Sequence, residues 1–529
     1  MQNNQDAAAL NAAGVSPPSL EAGDLAQVEA GTDAPPIGNQ GILPPSGIDL
    51  DDLEGARKDQ ATYLVALALT SGARFFYTSA GEPFAVVPNG TGRRVVLLDD
   101  PAAAEWLTHL YYDRYGRVPG RGRVRGAVEL LAGLVKRRGT ECALHLRVAP
   151  RASGGFVLDL GGKDLAAVVV DAQGWRIEAD SGTCFSRPMT SRALPNPRSG
   201  GDLRLLWQLL PLPDDDRLLV LAWLIAALLG EAPFPILLLT GEQGSGKSVT
   251  ARMLKGLIDP AELDLRAEPK NIQDLVVGAR HAHVLALDNL SSISIALSDG
   301  LCRMSTGGGF ATRTLFTTAD ETIISVARPV LVTGIDELFT RADLLDRTLL
   351  IALPPIAPGV RQPEAELRRR FHDQHGLLLG ALLDVASRAV AELPGIELTA
   401  APRMADFARL GVAVERAVGL PDGTFLAAYE SNRLAAHAVA LESAPVAAGL
   451  EKLLAENGGN WQGTASELLE LLALYVPERA RRAMPVMPKN LSDILRRLTP
   501  NLRAVGIEVE FKRLGDQMRT RQIRIEKRS

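Results

Sequence analysis

A chain of 529 residues is longer than one hydrophobic core usually serves, so three or more units are expected. Hydrophobic residues at 46% are ordinary for a globular protein, and a net charge of −5 excludes a globally basic nucleic-acid binder, leaving DNA contacts to a local patch. Cys142, Cys184 and Cys302 lie too far apart in sequence for a disulfide framework or a CxxC metal site, which fits a reducing cytoplasm.

Residues 1–52 contain no Lys or Arg and few large apolar side chains. Such a composition cannot offset the entropy of ordering, so this acidic stretch reads as a disordered tail, and it holds no apolar secretory core. Residues 53–200 read as a mixed α+β accessory domain. Helices are expected over Ala61–Ser71 and Ala102–Tyr115. Short strands are expected over Phe75–Thr78, Phe84–Val87, Val95–Leu98, Leu144–Val148, Phe156–Leu160 and Ala167–Val170. Arg114–Arg125 (RYGRVPGRGRVR) is basic; it reads as a solvated loop, with phosphate contact as the alternative. No acidic strand pair or zinc cluster marks this unit as a nucleotidyltransferase.

Residues 201–356 alternate helix and strand, the pattern of an α/β domain with a largely parallel sheet. Their longest apolar run, Leu218–Leu229, is shorter than the roughly 20 residues that cross a bilayer and reads as a buried helix, so no membrane association is expected. Residues 357–445 read as a helical segment broken at Pro394, Pro402 and Pro421.

Residues 446–529 form a small basic unit. Helices are expected over Thr464–Leu474 and Lys489–Leu498, and two strands around Ile507–Phe511 and Ile523–Ile525 joined by a turn at Leu514–Met518. From Pro477 onward there are 14 Lys/Arg and 6 Asp/Glu, a local net of +8, so the rest of the chain carries −13. Helix, helix and basic hairpin resemble a winged-helix DNA-binding domain. Lys489, Arg496 and Arg497 would lie along its second helix, and Lys512, Arg513, Arg519 and Arg521 in its wing. Such cations meet phosphates more than bases.

The strongest motif lies at the start of the α/β unit. Ile236–Thr240 is a short apolar strand; Gly241, Glu242, Gln243, Gly244, Ser245, Gly246, Lys247 and Ser248 then match GxxxxGK[ST], and a helix continues from Val249. Glycines let the backbone curl so that its N–H groups face phosphates, and the new helix aims its positive end at the same charge. Lys247 is expected on the β- and γ-phosphates of ATP and the Ser248 hydroxyl on Mg²⁺.

About forty residues later, Val284–Leu287 leads to Asp288, the place for a second Mg²⁺-binding group. Asn289 follows; an amide cannot take a proton from an attacking water, so Asp288 or a residue elsewhere must be the base. Thr333 ends the strand Val330–Thr333, either positioning that water or simply closing the strand. In TRADLLDR, Arg347, with Arg341 behind it, is placed to reach across a subunit interface to the phosphoryl group. The alternative is an ion pair with Asp343 or Asp346. The pairs His281/His283 and His372/His375 lack a third ligand for a metal.

In this order, GEQGSGKS, HVLALDNLS, TGGGFATRTLF, LVTGID and TRADLLDR resemble the AAA+ helicase-like ATPases of phages and integrative mobile elements, which are similar to superfamily 3 and primase-associated helicases. The resemblance is strong over residues 205–355. It implies an AAA+ P-loop core, a hexameric ring with ATP between subunits, and a channel hairpin here spanning Thr306–Thr318, with Arg313 as its phosphate contact; read from its residues alone, that stretch is equally an ordinary loop. Two departures stand out: Asn289 where many relatives carry Glu, and Thr333 where Asn is frequent. The expected function is a DNA-dependent ATPase, a replicative helicase of a phage or mobile element acting on single-stranded or origin DNA. Two alternatives stay open: an ATP-binding initiator or scaffold that hydrolyses weakly or not at all, and the helicase part of a primase-helicase.

Overall fold

The computed structural model describes residues 60–90, 92–162, 166–313, 321–335, 338–357, 359–442, 444–476, 481, 484–513 and 521–528, with the backbone alone at 311–313, 321–325 and 513. The expected tail, the turn Leu514–Met518 and Arg519 lie outside these residues.

The first unit packs α1 (Gln60–Thr70), α2 (Pro101–Tyr115) and α3 (Arg121–Arg138) against β1 (Arg74–Tyr77), β2 (Pro83–Asn89), β3 (Gly92–Leu97) and β4 (Thr140–Glu141), in sheet order β3-β2-β1-β4. Asp100 caps α2 by accepting a hydrogen bond from the Ala102 N–H, and Gly116 ends the helix in the left-handed conformation. The basic stretch read as a loop instead closes α2 and opens α3. Gly122, Gly126 and Gly133 weaken the helical signal of α3, but Val124, Ala127, Leu131 and Val135 recur at helical spacing and bury one face.

β5 (Val148–Pro150), β6 (Phe156–Asp159), β7 (Ala167–Asp171) and β8 (Gly174–Glu178) form an antiparallel sheet. The strand expected over Leu144–Val148 shrinks to one bridge, His145 to Phe185, before β5 begins. Residues 53–200, read as one unit, divide between two cores. Phe156, Leu158, Val168 and Val170 pack in the same core as Trp223 and Leu254 of the next unit and Leu382 of the helical segment, while residues 64–135 keep a core of their own.

The central sheet is wholly parallel, in order β10-β13-β9-β14, from β9 (Ile236–Thr240), β10 (Leu285–Leu290), β13 (Val330–Gly334) and β14 (Thr348–Ala352). Its strands read as near-continuous apolar runs because both faces are covered. Leu237, Leu239, Leu331 and Ile351 face α5 (Arg217–Leu229), α6 (Lys247–Ile258), α10 (Glu364–Glu392) and α11 (Ala405–Ala417). Ile236, Leu238, Leu287 and Val332 face α7 (Ile272–Arg280), α8 (Ile295–Thr306) and α12 (Thr424–Glu442). α5 buries residues Leu218 through Leu228, as its all-round apolarity requires, and the unit also holds the one-turn helices α4 (Arg204–Trp207) and α9 (Ala342–Leu345). Among the described residues no helix is long and apolar enough to cross a membrane.

The expected hairpin starts later than read: α8 runs through Thr306, and β11 (Gly309–Arg313) pairs antiparallel with β12 (Glu321–Ser325). The C-terminal unit packs α13 (Pro445–Glu456), α14 (Ala465–Tyr475) and α15 (Pro488–Ala504) on a three-stranded sheet. That sheet runs β15 (Asn460–Thr464), β17 (Arg521–Lys527), β16 (Ile507–Arg513). β15 was not expected, and α15 runs on past Leu498, where the expected helix ended, to Ala504.

Candidate functional site

The site is built at the carboxyl ends of β9, β10 and β13. β9 is followed by Gly241, where a Cβ would stand 2.5 Å from the Leu353 carbonyl oxygen. Gly244 (φ 85°) and Gly246 (φ 86°) take the left-handed conformation, turning the chain directly into α6. The Lys247 ammonium folds back across this loop and donates to the Gly241 and Glu242 carbonyls, at 2.6 and 2.9 Å. Ser245 Oγ is buried and has no hydrogen-bond partner among the described residues.

Opposite the loop, one oxygen of Asp288 accepts from two hydroxyls: Ser248 Oγ at 2.9 Å and Thr333 Oγ1 at 2.6 Å. Thr333 Oγ1 in turn accepts the Asn289 N–H at 2.8 Å. Asn289 has φ 57°, the one positive-φ non-glycine residue among those described, and its side chain is exposed. Thr333 Oγ1 thus links the Asp288 carboxylate to the Asn289 backbone. On the other edge of β10, the Asp288 N–H donates to the Arg266 carbonyl at 2.8 Å.

The structure brings together the glycine-rich loop, Lys247, Ser248, Asp288, Asn289 and Thr333. It does not bring Arg341 or Arg347 to them within one chain. The Arg347 carbonyl accepts the Ile236 N–H at 2.8 Å, which fixes Arg347 at the amino end of β9, away from the loop. Its guanidinium donates to the Asp343 carbonyl at 2.5 Å. Arg341 pairs with Asp343 at 2.9 Å and Asp299 at 2.8 Å. Burial would raise the Asp346 carboxyl, but hydrogen bonds from His437 and Arg403 outweigh it and hold the group down at about 2.

Sequence reading missed Arg361. Its Nη2 donates to the Gly244 carbonyl at 3.3 Å and stands 2.6 Å from where a Gly244 Cβ would be. No motif marks a single arginine in the Pro-rich link after β14; only its contact with the loop reveals it.

The basic positions are scattered. Arg313 lies in β11, opposite Glu321, with its side chain outside the described residues. Lys489, Arg496 and Arg497 are exposed on α15; Arg496 lies over the Phe511 ring at 4.4 Å. Lys512 pairs with Glu510 at 2.8 Å and Arg521 is exposed at the start of β17; the Arg513 and Arg519 side chains are not among those described. Burial pushes His283 and His375 down to about 4, and their Nε2 atoms meet the Ala227 and Leu257 carbonyls at 2.7 and 3.2 Å. Among the described residues no three His, Cys, Asp or Glu converge as a metal site.

These features define a mixed α/β protein on a parallel sheet, with an acid, two hydroxyls and a lysine-bearing glycine loop at its carboxyl edge. Residues 211–434 match the family model described as actinomycete integrative conjugative element replication protein, and residues 446–529 match the C-terminal domain of the same replication protein. Together the two matches span more than half of the chain, and both models describe the same kind of replication protein. No curated protein matches it.

Solved structures overlap loosely. "SCCmec type IV Cch - active helicase" is 12% identical, with 86% of this chain and 93% of that one covered and a TM-score of 0.42. "The A form apo structure of NrS-1 C terminal region-CTR" is 12% identical, with 88% and 99% covered and a TM-score of 0.39. Overlap at this level carries no function from them to this chain.

Proposed function

We propose that the protein is a DNA-dependent ATPase that drives replication of its element as a helicase, binding ATP with Mg²⁺ at the loop after β9. The observation that carries this reading is the convergence of Ser248 and Thr333 on one oxygen of Asp288, beside the Lys247 ammonium. Strand order supports the location. After β9 the chain crosses to β10, returns to β13 and then passes to β14 on the other side, so β9 is the switch point where parallel sheets bind ligands. Ser245 Oγ, buried and without a partner among the described residues, also fits a ligand that supplies an acceptor or donor in the loop.

Loop N–H groups and the amino end of α6 would meet the phosphates. Lys247 would exchange its two carbonyl partners for phosphate oxygens. Ser248 and Asp288 offer the hard oxygen donors that Mg²⁺ prefers, and the ion would neutralise charge on the phosphates. Thr333 would hold Asp288 in place. Because Arg341 and Arg347 stand at the amino end of the sheet, any contact of theirs with phosphate must be with a neighbouring copy's site, so a homo-oligomeric ring is part of the proposal. Lys489, Arg497 and Arg521 of the C-terminal unit, with Arg313 of the hairpin, would grip DNA.

ATP turnover by the full chain, with and without single-stranded DNA and beside Lys247→Ala, tests this reading. Stimulation by DNA and a dead variant uphold it. A second reading rests on Asn289, whose exposed amide stands beside Asp288 and cannot act as a base: the protein would bind ATP as an assembly switch. ATP-dependent oligomerisation with turnover no higher than Lys247→Ala would favour that switch over the motor.

A further inference from the structure

The tip of the α2–α3 helical pair is a second cationic surface, remote in sequence from both the glycine loop and the basic C-terminal unit. Between Gly92 and Arg138 there are ten Lys/Arg and five Asp/Glu, a local net of +5 in a chain whose total is −5. Five arginines, Arg114, Arg117, Arg121, Arg123 and Arg125, fall in twelve residues with no acid among them, and all five are exposed. α2 and α3 are joined by only 116–120, so these arginines gather at one end of the pair. The arrangement works against local stability. α3 has no acid in its first turn, and it places Arg121 and Arg123 at the positive end of its dipole, where cations are disfavoured. Gly122 adds to this: it weakens the helix, although nothing lies within 4 Å of where its Cβ would stand. Packing asks for neither feature; an anion brought close to the backbone accounts for both.

Beside the arginines lies an aromatic platform. Tyr111 and Tyr115 are 4.8 Å apart between ring centroids, and Tyr63 meets Tyr115 edge-on at 6.3 Å. Tyr112, one helical turn from Tyr115, is 54% exposed, and Val118 at the tip is 75% exposed. Gln60 fixes the platform, donating to Tyr111 Oη at 3.0 Å and accepting the Gly120 N–H at 3.1 Å. Tyr63, Tyr111 and Tyr115 are half-buried, so Tyr112 is the ring open to solvent. Clustered cations that can track a phosphate backbone, next to an exposed ring on which a base can stack, are what sequence-tolerant single-strand binding requires.

We propose that this tip docks single-stranded DNA, independently of nucleotide. The phosphates lie along Arg117, Arg121 and Arg125, and a base stacks on Tyr112. Arg125 exchanges its exposed partner Glu129, now at 2.9 Å, for phosphate. Binding of a labelled oligonucleotide to the full chain without ATP, followed by fluorescence anisotropy across a salt series, tests this. In Arg117→Glu/Arg121→Glu the dissociation constant should rise about ten-fold, and the salt slope should fall by about 1.4, at about 0.7 for each lost contact. Tyr112→Ala should weaken binding several-fold with the salt slope unchanged. Turnover without DNA should match wild type in both variants, since neither touches the glycine loop, so loss of the motor reading would leave this test intact. An oligonucleotide carrying 5-bromodeoxyuridine should photocrosslink to Tyr112. Unchanged affinity, slope and crosslinking in a folded charge-reversal variant would overturn the proposal. So would loss of duplex binding with single-strand binding intact, which would make the tip a duplex clamp.

Discussion

The Asp288 carboxylate depends on Thr333 twice, once for a direct hydrogen bond and once through the Asn289 N–H that the same hydroxyl accepts. Thr333→Val keeps the shape of the side chain and removes both bonds. It leaves a part-buried N–H unpaired at a left-handed residue, at a cost of about 1–3 kcal/mol. ATP turnover should fall at least ten-fold while nucleotide affinity changes little, and Thr333→Ser should restore most of the rate. Equal rates for Val and wild type would show that Thr333 does not position the acid. Asn289 can be tested separately. Asparagine tolerates φ 57° better than most side chains and glycine tolerates it best. In denaturant unfolding Asn289→Gly should stay within about 0.5 kcal/mol of wild type, and Asn289→Ala should lose about 1 kcal/mol. A harmless alanine would mean that the turn is unstrained.

α6 is anchored at its far end by a buried charge cluster. Asp259, just past its last turn, receives Lys255 at 3.0 Å, Arg147 at 3.3 Å, and the His283 and Val284 N–H groups that start the run into β10. Burial would raise this carboxyl, but Lys255 and Arg147 hold it well below the usual carboxylate range. Arg147 also donates to the Asp159, Arg192 and Pro260 carbonyls, tying the antiparallel sheet to the helix that carries Lys247. Arg147→Met strands those carbonyls and removes one of the two cations on Asp259, so a loss on the order of 3–5 kcal/mol is expected in unfolding experiments. A variant as stable as wild type would show that Lys255 alone suffices. The same elements show what the sequence made legible. β9, the loop and α6 form one continuous segment whose chemistry is spelled locally, and Asp288 ends an apolar run, so both could be read. Arg147 could not, because its partner lies 112 residues away and no spacing rule connects them. α3 was hidden by glycines inside its helical period. β15 (NWQGT) was missed because a glycine-containing run of five residues becomes a strand only by pairing with β17. Which side of the sheet Arg341 and Arg347 occupy is not spelled in TRADLLDR, because it is set by the strand that follows them.

At the scale of the whole molecule the C-terminal unit is fastened to the segment bearing those arginines. Asn501 of α15 donates to the Thr340 carbonyl at 3.1 Å and meets His437 Nδ1 at 3.2 Å, and His437 Nε2 meets Asp346 at 3.1 Å. DNA bound by the C-terminal unit would thus pull on the residues proposed to face a neighbouring copy. Stability of this assembly should be acid-sensitive through histidines buried without charge. Burial pushes His145, His283 and His375 down to about 4. Unfolding returns each to about 6.5, so between these values the unfolded chain binds more protons. These groups stabilise the fold fully above pH 6.5, and that contribution is lost as pH falls through 4, at about 1.4 kcal/mol per pH unit for each proton taken up. Asp216 acts the other way: burial and Asp215 push it up to about 6, so protonating it favours the folded state across part of the same window. Glu231, raised by burial and Asp406, acts in the same direction as Asp216, while burial lowers His281 with the other histidines. The histidines outweigh the two carboxyls, and the melting temperature should fall steadily from pH 7 to 4.5. His283→Gln removes one of these titrating groups while keeping an amide donor near the Ala227 carbonyl, so its melting temperature should depend less steeply on pH. A wild-type profile flat over that range, or parallel profiles for the two proteins, would show that the buried imidazoles are not what makes the fold sensitive to acid.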